Sequence, residues 1–254
     1  MLPVLFFMGA EHLIYFILLA LLAEVLGTVG GFGSSLFFVP IAGLFLDFHS
    51  VLGITALFHV TSNITKIVFF RKGFDKSLIL KIGVPAVLFV IAGALLSNVI
   101  DSRLLELFLA IFLIGLSLVF MIFKNLVIKP TTINAVTGGV FSGFVAGLLG
   151  TGGAIRGLAL AAFDLKQEVF IATSAVIDLA VDSSRAVVYG FNGFMHKHDL
   201  YLIPILLLVS VAGTYIGKLI LKRISDKQFK FIVLVLVLIT GIVSAVKFGM
   251  TPAA

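Results

Sequence analysis

The sequence predicts an all-α polytopic membrane protein built as two inverted repeats of about five hydrophobic segments each, the first two of each repeat broken by glycines. Three observations support this. The 254 residues are 61% hydrophobic and 12% charged, with a mean hydropathy of +1.25, which leaves too little polar surface for a water-soluble globule. Apolar stretches of about 15–22 residues recur along the chain, the length of a spanning helix rather than the alternating ten-residue pattern of a membrane barrel. The two halves also share polar positions in register, which apolar composition alone does not produce.

In order, the apolar segments fall at 13–26, 32–46, 51–70, 78–97 and 103–123, then at 132–149, 153–163, 168–190, 200–221 and 227–248. The repeats are therefore 1–128 and 129–254. The first pair straddles Gly27-Thr28-Val29-Gly30-Gly31-Phe32-Gly33-Ser34-Ser35, closed by Pro40, and the second straddles Gly150-Thr151-Gly152-Gly153-Ala154-Ile155-Arg156-Gly157. Glycine at this density discourages a continuous helix, and bare backbone in a bilayer is tolerated only where it faces protein or a watery cavity. Each pair is then a re-entrant hairpin or two short spans, and the sequence does not choose between them. The third segments align without a gap, Thr55-Ala56-Leu57-Phe58-His59-Val60-Thr61-Ser62-Asn63-Ile64-Thr65-Lys66 over Ser174-Ala175-Val176-Ile177-Asp178-Leu179-Ala180-Val181-Asp182-Ser183-Ser184-Arg185. Further on, Gly73-Phe74 matches Gly193-Phe194, Pro85 matches Pro204, and Ala92-Gly93 matches Ala212-Gly213. Gly93, Gly213 and Gly217 read as points where helices touch.

Charge orients the halves. The formal charge is +6, but the basic residues cluster in short loops, which is a topology signal and not a nucleic-acid site. Arg71, Lys72, Lys76 and Lys81 follow the third segment, whereas the matching loop has only Lys197 with His196, His198 and Asp199. The next loop reverses the balance, with Asp101 and Arg103 against Lys218, Lys222, Arg223, Lys227 and Lys230. If basic loops face the cytoplasm, the halves lie upside down to each other. That requires each glycine-broken pair to enter and leave on one side. Lys124 and Lys129, flanking Pro130, mark a cytoplasmic linker. Met1 to His12 has no Lys or Arg, so a cleaved signal peptide is not expected.

The chain has no cysteine and no tryptophan. Disulfides, thiolate metal sites and thiol nucleophiles are excluded, and Tyr15, Tyr189, Tyr201 and Tyr215 are the polar-tipped aromatics available for interfacial belts. No cofactor is expected, and no nucleotide-binding motif is present.

A backbone break leaves helix N-termini whose free amides favour an anion. Gly30, Gly31, Gly33 and Ser34 from the first break and Gly152 and Gly153 from the second are read as two halves of one anion site. Arg156, inside the second motif, would add a guanidinium suited to an oxyanion. On the third segment Thr55, His59, Ser62 and Lys66 line one face with Asn63 beside them. The counterpart carries Ser174, Asp178, Asp182 and Arg185, continued by Tyr189. An ionisable side chain in mid-membrane costs about 2.5–3.5 kcal/mol, so such stripes must face a partner or water. Ser62, Asn63, Lys66, Ser174 and Arg185 are the remaining substrate-binding candidates. Asp178, Asp182 and His59 are candidates for coupling, with protons as the coupling ion.

Blander readings stay open at this point. Asp182 and Arg185, three apart, can simply neutralise each other; Lys66 is close enough to Phe70-Arg71 to snorkel, and Arg156 can end a hairpin. Glu24 is assigned no function beyond capping or pairing with a cation. His196-Lys197-His198 reads as a hydrated loop without a metal, since no third ligand type clusters there in sequence. An enzyme is not expected, because Asp178 and Asp182 on adjacent turns of one helix are unlike carboxylates opposed across a cleft. An anion channel with a polar pore between the repeats is the alternative to a carrier.

A glycine-rich break, an apolar run ending in Pro and an Ala/Gly-x-Thr/Ser acceptor recur here as Gly27 through Gly33 to Pro40 with Gly53-Ile54-Thr55. The second copy is Gly147 through Gly157 with Ala172-Thr173-Ser174. This pattern resembles the TauE/SafE sulfite exporter family of membrane permeases over nearly the whole chain. It departs from the family at Ser34-Ser35, which replace part of the glycine run, and near Ala159, where a Pro is usual. The resemblance implies a permease in the cytoplasmic (inner) membrane of a bacterium or archaeon. Its partners would be a small anion and the lipid bilayer, with export of sulfite or sulfonates the activity.

Overall fold

The computed structural model describes residues 9–31, 33–71, 73–123, 128–221 and 223, with scattered positions from 235 to 249. The tenth segment, 227–248, lies largely outside the described residues, as do Phe32, Lys72, Lys124, Lys222, Lys227 and Lys230.

Every described element is helical. In chain order these are α1 (Ala10–Gly30), α2 (Ser35–Ala42), α3 (Phe48–Phe69) and α4 (Lys76–Leu78), which runs through π-helical turns at Ile79–Gly83 into α5 (Val84–Ser97). Then come α6 (Ser102–Ile122), α7 (Thr132–Leu149), α8 (Gly153–Ala161), α9 (Gln167–Phe191) and α10 (Leu202–Leu221). Short polar residues set several starts by accepting backbone N–H groups: Asp47 from Ser50 (3.0 Å), Asp75 from Leu78 (2.9 Å) and Thr131 from Asn134 (3.2 Å). Partial burial raises the Asp47 carboxyl, but hydrogen bonds from Ser50 and the imidazoles of His196 and His49 outweigh it and hold the group below the usual carboxylate range.

Among the described residues, six helical stretches are long and apolar enough to cross a membrane: Glu11–Gly30, Phe48–Phe69, Lys76–Ser97, Ser102–Val119, Thr132–Leu149 and Leu202–Leu221. Large apolar side chains such as Leu88, Val99, Ile122 and Leu208 lie on the outside. The chain is an integral membrane protein.

The glycine-broken pairs differ from both sequence expectations. Each is one long helix followed by one short one: α1 has 21 residues and α2 only 8, α7 has 18 and α8 only 9. At 1.5 Å per residue a helix of 8 residues reaches about 12 Å, under half the hydrocarbon thickness. The reason lies in where the backbone turns. Gly27 and Gly30 stay helical, whereas Gly31 (φ 71°), Gly33 (φ 87°) and Gly150 (φ 76°) adopt the left-handed conformation that ends α1 and α7.

Three packing pairs organise the bundle: α1 on α10, α5 on α7, and α3 on α9. Small residues make the first two close. Gly139, Gly143 and Gly147 of α7 lie against the carbonyls of Ile82, Ala86 and Val90, and Gly93 of α5 returns the contact at Phe144. Gly213 and Gly217 of α10 lie against Glu24 and Thr28 of α1. Gly143→Leu is therefore expected to cost more than the about 1–3 kcal/mol of ordinary overpacking, since it meets backbone. Gly115→Leu, at a position with open space around it, should be neutral. Unfolding midpoints in detergent measure both, and equal midpoints would refute this account of the α5–α7 contact.

Candidate anion site

Because α3 lies along α9, the two polar stripes meet. Asn63 Nδ2 donates to Asp182 Oδ2 at 2.7 Å, and His59 Nδ1 stands 3.8 Å from the same oxygen. Arg185, one turn on, holds Asp182 Oδ1 through Nε (2.8 Å) and Nη2 (2.7 Å). Its Nη1 donates to the carbonyls of Gly150 (2.7 Å) and Ala146 (3.2 Å). A cation here satisfies carbonyls left over at the C-terminus of α7 and complements that end's partial negative charge. Tyr189 assists with a 2.6 Å hydrogen bond to the Gly147 carbonyl and is fully buried. It is thus part of the break and not of an interfacial belt, whereas Tyr15 and Tyr215 are exposed.

The second break contributes Arg156 from the first turn of α8. Its Nη2 donates to Asp178 at 2.5 Å and its Nε to Ser174 Oγ at 3.3 Å. Asp178 on α9 is therefore paired by a cation from another helix. Neither Arg156 nor Lys66 snorkels; they are 2% and 4% exposed.

The residue underestimated from sequence is Glu24. Fully buried on α1, it accepts hydrogen bonds from Ser34 (2.5 Å), Ser62 (2.5 Å), Thr214 (3.0 Å) and Thr28 (3.3 Å), and it pairs with Lys66 Nζ at 2.8 Å. Lys66 also donates to Ser62 Oγ at 2.6 Å. One carboxylate thus ties the first break to α1, α3 and α10. The signal was present: an acid in an apolar span with no cation on its own helix must be met from elsewhere.

Between these groups lies a narrow, partly open recess lined by Gly27, Gly31, Gly33, Asn63, Lys66, Ile171, Ser174, Ala175 and Asp178. Of the expected binding residues, Gly31, Gly33, Asn63, Lys66 and Ser174 line it, together with Asp178 from the coupling set. Ser34, Ser62, Arg156, Arg185, Asp182 and His59 stand behind that lining, and Gly30 is outside it. Gly152 and Gly153 are not part of the lining either. Gly152 instead lies against the Ser142 carbonyl and Ala146 of α7, so its lack of a side chain serves helix contact. The second break reaches the recess through the Arg156–Asp178 pair and not through glycine backbone.

Electrostatically the cluster is closed. Three buried cations (Lys66, Arg156, Arg185) face three buried carboxylates (Glu24, Asp178, Asp182), giving zero net charge with His59 neutral. Desolvating so many charges is affordable only when each is paired and hydrogen-bonded, as here.

No curated protein and no solved structure matches the chain. The profile described as sulfite exporter TauE/SafE matches residues 16–244, a span that takes in both breaks, both stripes and all three buried ion pairs. On that match the chain belongs to the sulfite exporter TauE/SafE family.

Proposed function

We propose that the protein is a secondary transporter that moves a small oxyanion, such as sulfite or an organosulfonate, across the cytoplasmic (inner) membrane by alternating access. The observation that supports this most is the neutral cluster of three ion pairs beside a recess with glycine backbone on one side. An oxyanion entering the recess competes with the carboxylates for Lys66 and Arg156, and the cluster becomes net negative unless a proton comes with it.

His59 offers a place for that proton. Ser34 Oγ donates to Glu24 and lies 3.0 Å from His59 Nε2, so it accepts the Nε2 proton of the ring. In the neutral tautomer, Nδ1 then turns a lone pair toward Asp182 Oδ2 at 3.8 Å. A proton on either atom relieves this opposition. Asp178, Asp182 and His59 are the coupling group in this reading, and Gly31, Gly33, Asn63, Lys66, Ser174 and Arg156 surround the anion.

The chain is read as two inverted repeats, 1–128 and 129–254. The exchange of packing partners, α1 on α10 and α7 on α5 with α3 on α9 between them, fits a pseudo-two-fold relation, since α1 corresponds to α7 and α5 to α10. Rocking of one half against the other would open the recess alternately to each side. Moved without a coupled proton, an anion is driven outward by the membrane potential at about 2.3 kcal/mol per charge per 100 mV, so simple uniport favours export.

Flux into proteoliposomes, measured for sulfite, thiosulfate, sulfonates and carboxylates with and without a proton gradient, tests the function. Saturable flux of at least one of these anions is expected, and none for any of them would overturn the reading. The inverted arrangement has its own test. In a chain without cysteine, Lys197→Cys is expected to react with an impermeant maleimide from outside and Lys76→Cys from the cytoplasm; labelling of Lys197→Cys from the cytoplasm alone would rule it out.

A further inference from the structure

We propose that the loop joining α9 to α10, with the start of α3, forms a binding site for a divalent transition ion of the Zn²⁺ class, held by His196, His198, Asp199 and Asp47. Donor atoms of His196, His198 and Asp199 all lie within 4.8 Å of one another. The contacts between them are 3.5 Å from His198 Nε2 to Asp199 Oδ2 and 3.9 Å from His196 Nδ1 to the same oxygen. Asp47 adds a fourth ligand from the other half of the chain, its Oδ2 at 3.5 Å from His196 Nδ1.

These spacings can be set against the ion. With ligands at about 2.0–2.1 Å, a tetrahedral Zn²⁺ has neighbouring donor atoms about 3.3–3.4 Å apart. Two of the three distances are already within about 0.2 Å of that edge, so the ligands need close only slightly. Two imidazoles and two carboxylates select a borderline transition ion over Mg²⁺ or Ca²⁺, which prefer oxygen alone.

The support behind the ligands is also in place. Asp47 uses Oδ1 to cap α3 through the Ser50 N–H, which leaves Oδ2 for the ion. Ser50, fully buried, donates from Oγ to Asp199 Oδ2 at 2.6 Å and lies 2.6 Å from His196 Nδ1. In the metal-free protein Nδ1–H donates to Ser50. Coordination through Nδ1 takes the other neutral tautomer, with the ring proton on Nε2, and Ser50 keeps its bond to Asp199, orienting a ligand from behind. The loop itself is anchored, since Phe194 is buried and stacks on His49 with 4.0 Å between ring centroids. Sequence alone does not point to such a site, because Asp47 and Ser50 are brought to the loop only by the fold. The ion would join the first turn of α3 to the loop before α10.

The test uses the full-length protein without a histidine tag, in detergent, titrated with Co²⁺ and Zn²⁺. Expected are one equivalent of Co²⁺ with tetrahedral d–d absorption, displacement by Zn²⁺, and a raised unfolding midpoint with either ion. His196→Ala/His198→Ala should lose the absorption while keeping the metal-free midpoint. Ser50→Ala should weaken binding by about 10–100-fold, and Asp47→Asn, which preserves the helix cap, should weaken it as well. A wild-type protein that leaves the Co²⁺ spectrum unchanged, or a double variant that binds as the wild type does, overturns the proposal.

Discussion

Replacing Glu24 with alanine is expected to destabilise the protein by about 3–5 kcal/mol and to abolish transport. The substitution leaves the Lys66 ammonium buried without its counter-ion, and that is the costly way to break an internal ion pair. It also strips four hydroxyls, on Thr28, Ser34, Ser62 and Thr214, of a shared acceptor. A companion variant separates charge from packing. Glu24→Gln/Lys66→Met removes both charges with little change in volume, so most of the stability should return. Flux should not return, because Lys66 lines the recess. Unfolding in detergent and proteoliposome flux read the two effects, and a Glu24→Ala protein as stable as wild type would show that the Glu24–Lys66 pair is not what holds the first break to α3 and α10.

How much of this was legible in the chain depends on the range over which each feature is determined. The spans were legible because length and apolarity are local properties, and segments 51–70 and 200–221 fall close to α3 and α10. The burial of the third segments' polar faces was legible too, since the stripes Thr55–Lys66 and Ser174–Arg185 cannot face lipid. The shape of the breaks was not. Gly27, Gly30 and Gly31 look alike in sequence, and only Gly31 turns left-handed, because the chain must fold back there to bring the Ser34 backbone against Gly27. Roles set by distant contacts were also hidden. Arg185 reads locally as an i, i+3 partner of Asp182, and it is one, yet its other nitrogen closes the C-terminus of α7, which only the docking of α7 on α9 reveals. The same holds for Gly152, whose freedom from a side chain lets it approach Ser142 and Ala146 of α7.

Asp178→Asn is expected to make anion flux independent of an imposed pH gradient while the anion still binds. The wild-type cluster balances three cations against three carboxylates; in the variant only two carboxylates remain, and the cluster is net positive by one. An oxyanion then restores neutrality by itself, so the proton that accompanies it in the wild type is no longer needed. Acidifying one side should accelerate wild-type uptake from that side, because proton and anion enter together, and should leave the variant unchanged at clamped potential. Stability offers a second readout. Without Asp178 the Arg156 guanidinium, 2% exposed, loses its carboxylate, a loss on the order of 3–5 kcal/mol. A bound oxyanion replaces that partner, so at about 100 times its dissociation constant it should return roughly 2.7 kcal/mol. Sulfite should therefore raise the unfolding midpoint of Asp178→Asn more than that of the wild type. Asp182→Asn is the comparison. Its carboxylate faces Arg185 behind the recess, so a bound anion cannot take its place, and sulfite should not rescue that variant. If both variants keep the wild-type gradient dependence, the anion recess stands and neither Asp178 nor Asp182 carries the proton. If sulfite stabilises Asp182→Asn and not Asp178→Asn, the anion lies on the Arg185 side and the recess has been placed on the wrong ion pair.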